Sequence, residues 1–217
     1  VPCSITPKAI EPAIAVTGTY TYSGTAITPT FTVSYQDGTD NVQLTAETDY
    51  TAAFSDNINA GTAVVSITAV DGGNYTWEGE VKENFTIEKA DYRGSKTAKT
   101  SAIYGKTAEY TLSGLWPDGA SLGTLAVQDE NAILDSSVTL NGTNLSYRLV
   151  NNAGNVGKTA VVSIPVTHRN YNDFDITITI EVADKNGQTL GFAAGAVTKT
   201  YGDGAFTNTL TGAQTGV

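Results

Sequence analysis

The chain has 217 residues, 40% of them hydrophobic and 16% charged, a balance that excludes both a disordered polymer and a charge-rich long helix. Its formal net charge of −10, with Lys and Arg scattered, argues against nucleic acid and anionic membranes as partners. No stretch approaches the ~18 consecutive apolar residues that a membrane-spanning helix needs.

The chain begins at Val1 and contains no Met, which reads as a processed protein or an excised piece, with any signal peptide or anchor lying outside it. Cys3 is the only cysteine, so no intrachain disulfide forms. Thr, Val, Ile, Tyr and Gly carry much of the composition, the types that suit pleated strands and tight turns.

In chain order, the first clear strand is Thr30–Tyr35, where Phe31, Val33 and Tyr35 share a face. Asp37-Gly38 then signals a turn, and Asn59-Ala60-Gly61 another. The string TAVVSI follows at Thr62–Ile67; continuing to Val70, it alternates Val64, Ser66, Thr68 and Val70 against Val65, Ile67 and Ala69. Asp71-Gly72-Gly73, Asn74-Tyr75 and Glu78-Gly79 interrupt the pattern before FTIEKAD at Phe85–Asp91. Further on, Asp118-Gly119 marks a turn, and Asn141-Gly142 predicts a type I′ hairpin joining Ser136–Leu140 to Asn144–Leu149. Asn155-Val156-Gly157 leads into a second TAVVSI at Thr159–Ile164, then Asn170-Tyr171, then a strand with Ile176, Ile178, Ile180 and Val182 on one side. No window of eleven or more residues carries a helical stripe.

The two TAVVSI strings lie 97 positions apart (62 to 159), as do Tyr104-Gly105 and Tyr201-Gly202 (104 to 201). FTIEKAD is echoed by ITIEVAD at Ile178–Asp184. These repeats divide the chain into residues 1–90, 91–184 and 185–217, the last reading as the incomplete start of a further module. Units of about ninety residues, with turn signals every eight to twelve residues and no helix, predict an all-β fold. It consists of two tandem antiparallel β-sandwich modules of immunoglobulin-like shape plus a partial third, without the Cys…Trp…Cys signature of true immunoglobulin domains.

The first unit contains Tyr22-x-Gly24, Asp49-Tyr50, Asn57-x-x-Ala60-Gly61-Thr62-Ala63, Asn74-Tyr75 and a closing Phe-Thr-Ile strand. In this it resembles a repeat of large surface proteins of Gram-positive and related gut bacteria. The second unit is similar to modules found beside such repeats, and Lys199–Gly212 resembles the start of a Tyr-Gly-Asp module. The resemblance implies an extracellular, cell-surface location, a stalk or adhesion role and no shared catalytic residues.

Candidate chemistry is sparse. His168 is the only histidine and sits in a Thr-His-Arg-Asn-Tyr turn, reading as a solvated loop residue rather than a catalytic base. The carboxylate pairs Asp129-Glu130, Asp173/Asp175 and Asp37/Asp40 read as turn and surface groups, and so do the oxygen-rich loops at Asp37–Asn41 and Asp71–Asn74, since neither has EF-hand spacing. Lys82, Lys89 and Lys158 are the lysines weighed for a self-formed isopeptide bond. Trp77, Trp116 and the Tyr20/Tyr22 pair are the candidate ligand-binding residues, because aromatic faces stack on sugars; period-two aromatics also pack in cores.

The reading is therefore a non-catalytic structural or adhesive stalk segment of a secreted or cell-surface bacterial protein, with no metal or cofactor. Its partners would be neighbouring modules of the same chain and a host or cell-wall glycan or protein. One alternative is a carbohydrate-binding module of a secreted glycan-active protein. Another is a filament subunit that self-associates by strand addition through residues 185–217.

Overall fold

The computed structural model describes residues 6–185, 191–192, 201 and 210–211. The first repeat contributes β1 (Lys8–Ala9), β2 (Ala13–Thr17), β3 (Tyr20–Thr21), β4 (Thr30–Asp37), β5 (Asp40–Gln43), β6 (Tyr50–Ser55), β7 (Gly61–Ala69), β8 (Tyr75–Thr76) and β9 (Val81–Glu88). They form a sheet ordered β2-β4-β5 and a sheet ordered β3-β9-β7-β6. Ile14, Val33 and Tyr35 of the first sheet meet Tyr50, Val65 and Ile67 of the second in one buried cluster. Three strands facing four over a shared apolar layer make the predicted sandwich.

The alternation read in TAVVSI fixes which face of β7 is buried. Ala63, Val65 and Ile67 have no exposed surface, while Val64, Ser66 and Thr68 are half-buried on the other face. The second copy repeats this, with Ala160, Val162 and Ile164 buried and Val161 and Ser163 half-buried. Each buried face is of the kind a β-sheet presents to its core.

Two short pairs are parallel, which the antiparallel expectation does not contain. β3 runs parallel to β9, with Tyr20 opposite Ile87, and β1 runs parallel to β8, with Lys8 opposite Tyr75. The first arises because one stretch of chain serves both sheets. β2 pairs antiparallel with β4, then the chain turns at Gly18 and continues on the opposite sheet as β3. Gly18 has φ +99, a conformation that costs a side-chain-bearing residue strain, and so permits the switch.

The rest of the chain contributes β10 (Thr97–Ile103), β11 (Thr107–Thr111), β12 (Ser121–Leu122), β13 (Ala126–Gln128), β14 (Thr139–Asn141), β15 (Asn144–Arg148), β16 (Thr159–Thr167) and β17 (Phe174–Ala183). One sheet is ordered β10-β17-β16-β12, with β13 also on β16, and another β11-β15-β14. The β14–β15 hairpin forms where it is predicted, but Asn141 pairs with Asn144, so the loop residues are Gly142 and Thr143. Only Gly142 of these two has positive φ, the pattern of a type II′ turn rather than type I′. The β4–β5 hairpin is built alike, with Asp37 opposite Asp40 around Gly38-Thr39. The one helical element among the described residues is a 3₁₀ turn at Ala153–Asn155, capped by the Asn152 side chain.

By contacts the chain divides into two compact units. One comprises Val1–Ala98, Leu112–Ala126 and Val162–Ile178; the other comprises Lys99–Thr111, Val127–Val161 and Thr179–Val217. Residues 162–178, which carry the second Asn-Tyr pair, thus group with the first repeat. In the other unit, Tyr147 is buried and its Oη lies 3.1 Å from Thr100 Oγ1. The partial third module at 185–217 falls largely outside the described residues, where Cys3 also lies; of it, β18 (Gly191–Phe192) pairs antiparallel with β19 (Leu210–Thr211).

Candidate functional site

Two places in the unit that contains the first repeat draw polar and aromatic side chains together. The first surrounds Asn170, a buried polar residue. Its Nδ2 donates to Asn59 Oδ1 at 2.9 Å, and its Oδ1 accepts from the Ala60 N–H at 2.9 Å. The Asn170 carbonyl accepts from the Ala90 N–H at 3.0 Å, and the Asn172 N–H returns to the Ala90 carbonyl at 2.9 Å. Asn170 thereby fastens the turn after the second TAVVSI to the loop before the first, with almost all of its hydrogen-bonding capacity satisfied.

Aromatic rings flank this clasp. Tyr171 meets Tyr22 edge-on at 5.4 Å and Tyr92 at 5.5 Å, and Tyr92 stacks on Phe174 at 5.0 Å. His168 lies 5.1 Å from the Tyr171 ring. Its Nδ1 accepts the Asn170 N–H at 3.0 Å, and its Nε2 lies 3.2 Å from the Asp118 carbonyl. With Nδ1 an acceptor, the Nε2–H tautomer completes both contacts. His168 is thus a half-buried strut of the turn.

The second place is a groove of about 1030 Å³. Half-buried Trp77 and Ile10 line it, together with Tyr35, which is only 6% exposed. Gln36, Asn41 and Glu78, all exposed, supply polar groups. Trp77 also packs against the cluster formed by Ile14, Tyr35, Val65 and their neighbours. Its Nε1 is buried and has no hydrogen-bond partner among the described residues. Lys8, on the rim, is bound by Asp37 Oδ2 at 2.6 Å, and its Nζ stands 5.2 Å above the Tyr35 ring. The Asp37 hydrogen bond holds the Lys8 amine above its usual 10.5, against a smaller opposing effect of burial. Tyr75, whose ring lies 5.3 Å from Tyr35, is pushed above the ordinary phenol value first by a hydrogen bond with Tyr35 and then by burial.

The sequence-derived ligand residues do not gather in one platform. Trp77 packs on the first core cluster, whereas Tyr20 and Tyr22 pack on a second one made by Ala63, Phe85 and Ile87. Tyr20 meets Phe85 edge-on at 5.5 Å, and its Oη accepts the Thr30 N–H at 2.6 Å. Trp116 is half-buried between β11 and β12.

The carboxylates have local employment. Asp129 accepts N–H groups from Ile133 and Leu134 at 2.9 and 2.8 Å, and buried Asp49 accepts from Thr45 at 2.7 Å. Among the described residues no three His, Cys, Asp or Glu side chains form a metal-sized group. Lys82 pairs with Glu80, Lys89 with Asp173 at 3.8 Å, and Lys158 Nζ reaches Asn155 Oδ1 at 3.0 Å from an exposed position.

Asn170 is the residue that sequence reasoning missed. It was visible only as half of a repeated Asn-Tyr turn, and its partners are 110 and 111 positions away. The clue available was the repeat itself, because a turn retained beside each TAVVSI invites a role beyond reversing the chain.

No family model and no curated protein matches this chain. Solved structures that resemble it include a titin fragment, 11% identical, covering 80% of this chain and 99% of the fragment with a TM-score of 0.28. A tandem pair of titin immunoglobulin domains is 13% identical, covering 81% and 98% of the respective chains with a TM-score of 0.25. Likenesses this distant carry no weight beside the sheet order itself.

Proposed function

We propose that this chain is a non-catalytic structural segment of a bacterial cell-surface protein, one that holds a binding region away from the cell. The observation that supports this reading is the Asn170 clasp. A buried amide bonded to Asn59 and Ala60 couples residues of the two sequence repeats by side-chain contact as well as through the connecting chain. All three residues lie in one compact unit, and ties of this kind between distant stretches of chain resist local opening of the unit, as a spacer under load requires. The placement on a bacterial surface rests on the Tyr-x-Gly, Asn-x-x-Ala-Gly-Thr-Ala and Asn-Tyr elements of the first repeat.

The test has two parts. An antibody against this chain labels intact producing cells; labelling only after lysis overturns the location. Exchanging the segment for an unrelated β-sandwich pair of similar length preserves attachment of the cells. Loss of attachment on that exchange assigns binding, rather than spacing, to this segment.

A further inference from the structure

We infer that the groove beside Trp77 is a binding site for a neutral oligosaccharide. This goes beyond the spacer role, since a spacer needs no groove. Its wall sets the half-buried Trp77 indole beside exposed Gln36, Asn41 and Glu78. Sugars present both apolar C–H faces and hydroxyls that donate and accept, so they call for this mixture of ring surface and amide and carboxylate groups.

Two observations select a neutral sugar over other ligands. The rim ammonium, Lys8, is already held by Asp37 at 2.6 Å, which leaves an anionic ligand facing a neutralised pair and a chain of net charge −10. The backbone of the wall offers a peptide little to pair with. The N–H groups of Lys8 and Ile10 are bonded to Asn74 and Thr76, Pro12 has none, and Ser34 already pairs with Ala13 and Gln43.

The probes are neutral gluco-, galacto- and N-acetylglucosamine oligosaccharides, titrated into the whole chain by calorimetry and by indole fluorescence. At least one binds with millimolar or tighter affinity. Binding weakens ~10-fold or more in Trp77→Ala and in the double variant Gln36→Ala/Asn41→Ala, and is unchanged in Trp116→Ala. The double variant alters only exposed side chains, so it separates ligand contact from the loss of packing that Trp77→Ala also brings. Failure of every neutral probe at 10 mM-scale concentrations overturns the proposal. So does binding that survives the double variant, or binding confined to charged sugars or peptides. These results leave the cell-labelling experiment untouched; a loss of cell attachment on exchange of the segment that Gln36→Ala/Asn41→Ala reproduces is due to this groove, and one that it does not reproduce overturns the spacer reading alone.

Discussion

Asn170 and Asn59 stand 111 positions apart and are joined by a hydrogen bond of 2.9 Å from Nδ2 to Oδ1. The bond matters because of what surrounds it. The same side chain takes the Ala60 N–H, and the same residue's carbonyl takes the Ala90 N–H, so one turn holds both a loop and the segment leaving β9. Lys8 and Asn74 repeat half of this arrangement, the Lys8 N–H donating to the Asn74 carbonyl at 2.9 Å. Each Asn-Tyr turn takes a parallel partner: Lys8 of β1 lies opposite Tyr75, and Ala90, in an isolated bridge just after β9, lies opposite Tyr171. The repeated dipeptide is thus a docking point for incoming chain, and in the second repeat its side chain adds the clasp.

Replacing Asn170 by Ala strands the Asn59 acceptor and the Ala60 donor, both half-buried, and is expected to cost about 1–3 kcal/mol of unfolding free energy. Asn170→Asp keeps the acceptor for Ala60, and a flipped Asn59 amide donates to its second oxygen, so the loss is smaller. Urea unfolding of the two variants checks the order. Equal stability of Asn170→Ala and the parent chain would refute the clasp.

Gly18 lets one stretch of chain serve both sheets, at φ +99. An added Cβ would also lie 3.2 Å from Tyr20 Oη, the group that accepts the Thr30 N–H. Gly18→Ala is expected to lower stability by about 1–3 kcal/mol, whereas Thr19→Ala, at an exposed neighbour, stays within about 0.5 kcal/mol. Thermal denaturation of the pair reads the difference, and similar melting temperatures for the two would mean the switch needs no glycine.

Ile67 and Ile164 occupy the same place in the two TAVVSI strings, and neither has exposed surface. Truncation of either to Ala leaves a cavity that backbone shifts fill only partly, at an expected cost of about 2–5 kcal/mol. Ser66→Ala and Ser163→Ala, on the opposite faces of the same strands, stay within about 0.5 kcal/mol. Denaturant midpoints for the four variants test the shared orientation. A serine substitution as harmful as its isoleucine counterpart would show that strand to be turned over.

These cases show which parts of the molecule local sequence can express. Alternation places Ile67, Ile164 and Ile178 inside because side-chain direction in a strand follows from parity alone. Gly142 marks its hairpin, though a single dipeptide leaves the choice of loop residues open, and the pairing of Asn141 with Asn144 moves the turn by one position. The sheet switch at Gly18 depends on where β9 lies, and the Asn170 clasp depends on two segments more than a hundred residues distant. The groove is less legible still. Trp77 stands out as an aromatic residue, but Gln36 and Asn41 become its neighbours only when β4 and β5 fold beside it.

Alkaline stability provides a further test of burial. Burial, and then Asp49 and Glu47, pushes the Tyr50 phenol above its usual 10.0. Burial does the same for Tyr147, while the hydrogen bond to Thr100 pulls the other way. A raised phenol pKa means that the folded chain favours the neutral form. The stabilisation is complete below the unfolded value of 10.0 and is lost as pH rises through the folded one, because the unfolded chain ionises first. Lys8 acts in the same direction: its ion pair contributes fully below 10.5 and is lost as pH rises through its raised value. The urea midpoint is therefore expected to be insensitive to these groups near neutrality and to fall above pH ~10. Tyr147→Phe removes one of the ionising phenols, so its midpoint falls less steeply over that range, even though the variant starts lower for want of the Thr100 contact. Parallel pH profiles for Tyr147→Phe and the parent chain would show that Tyr147 ionises alike in the folded and unfolded states.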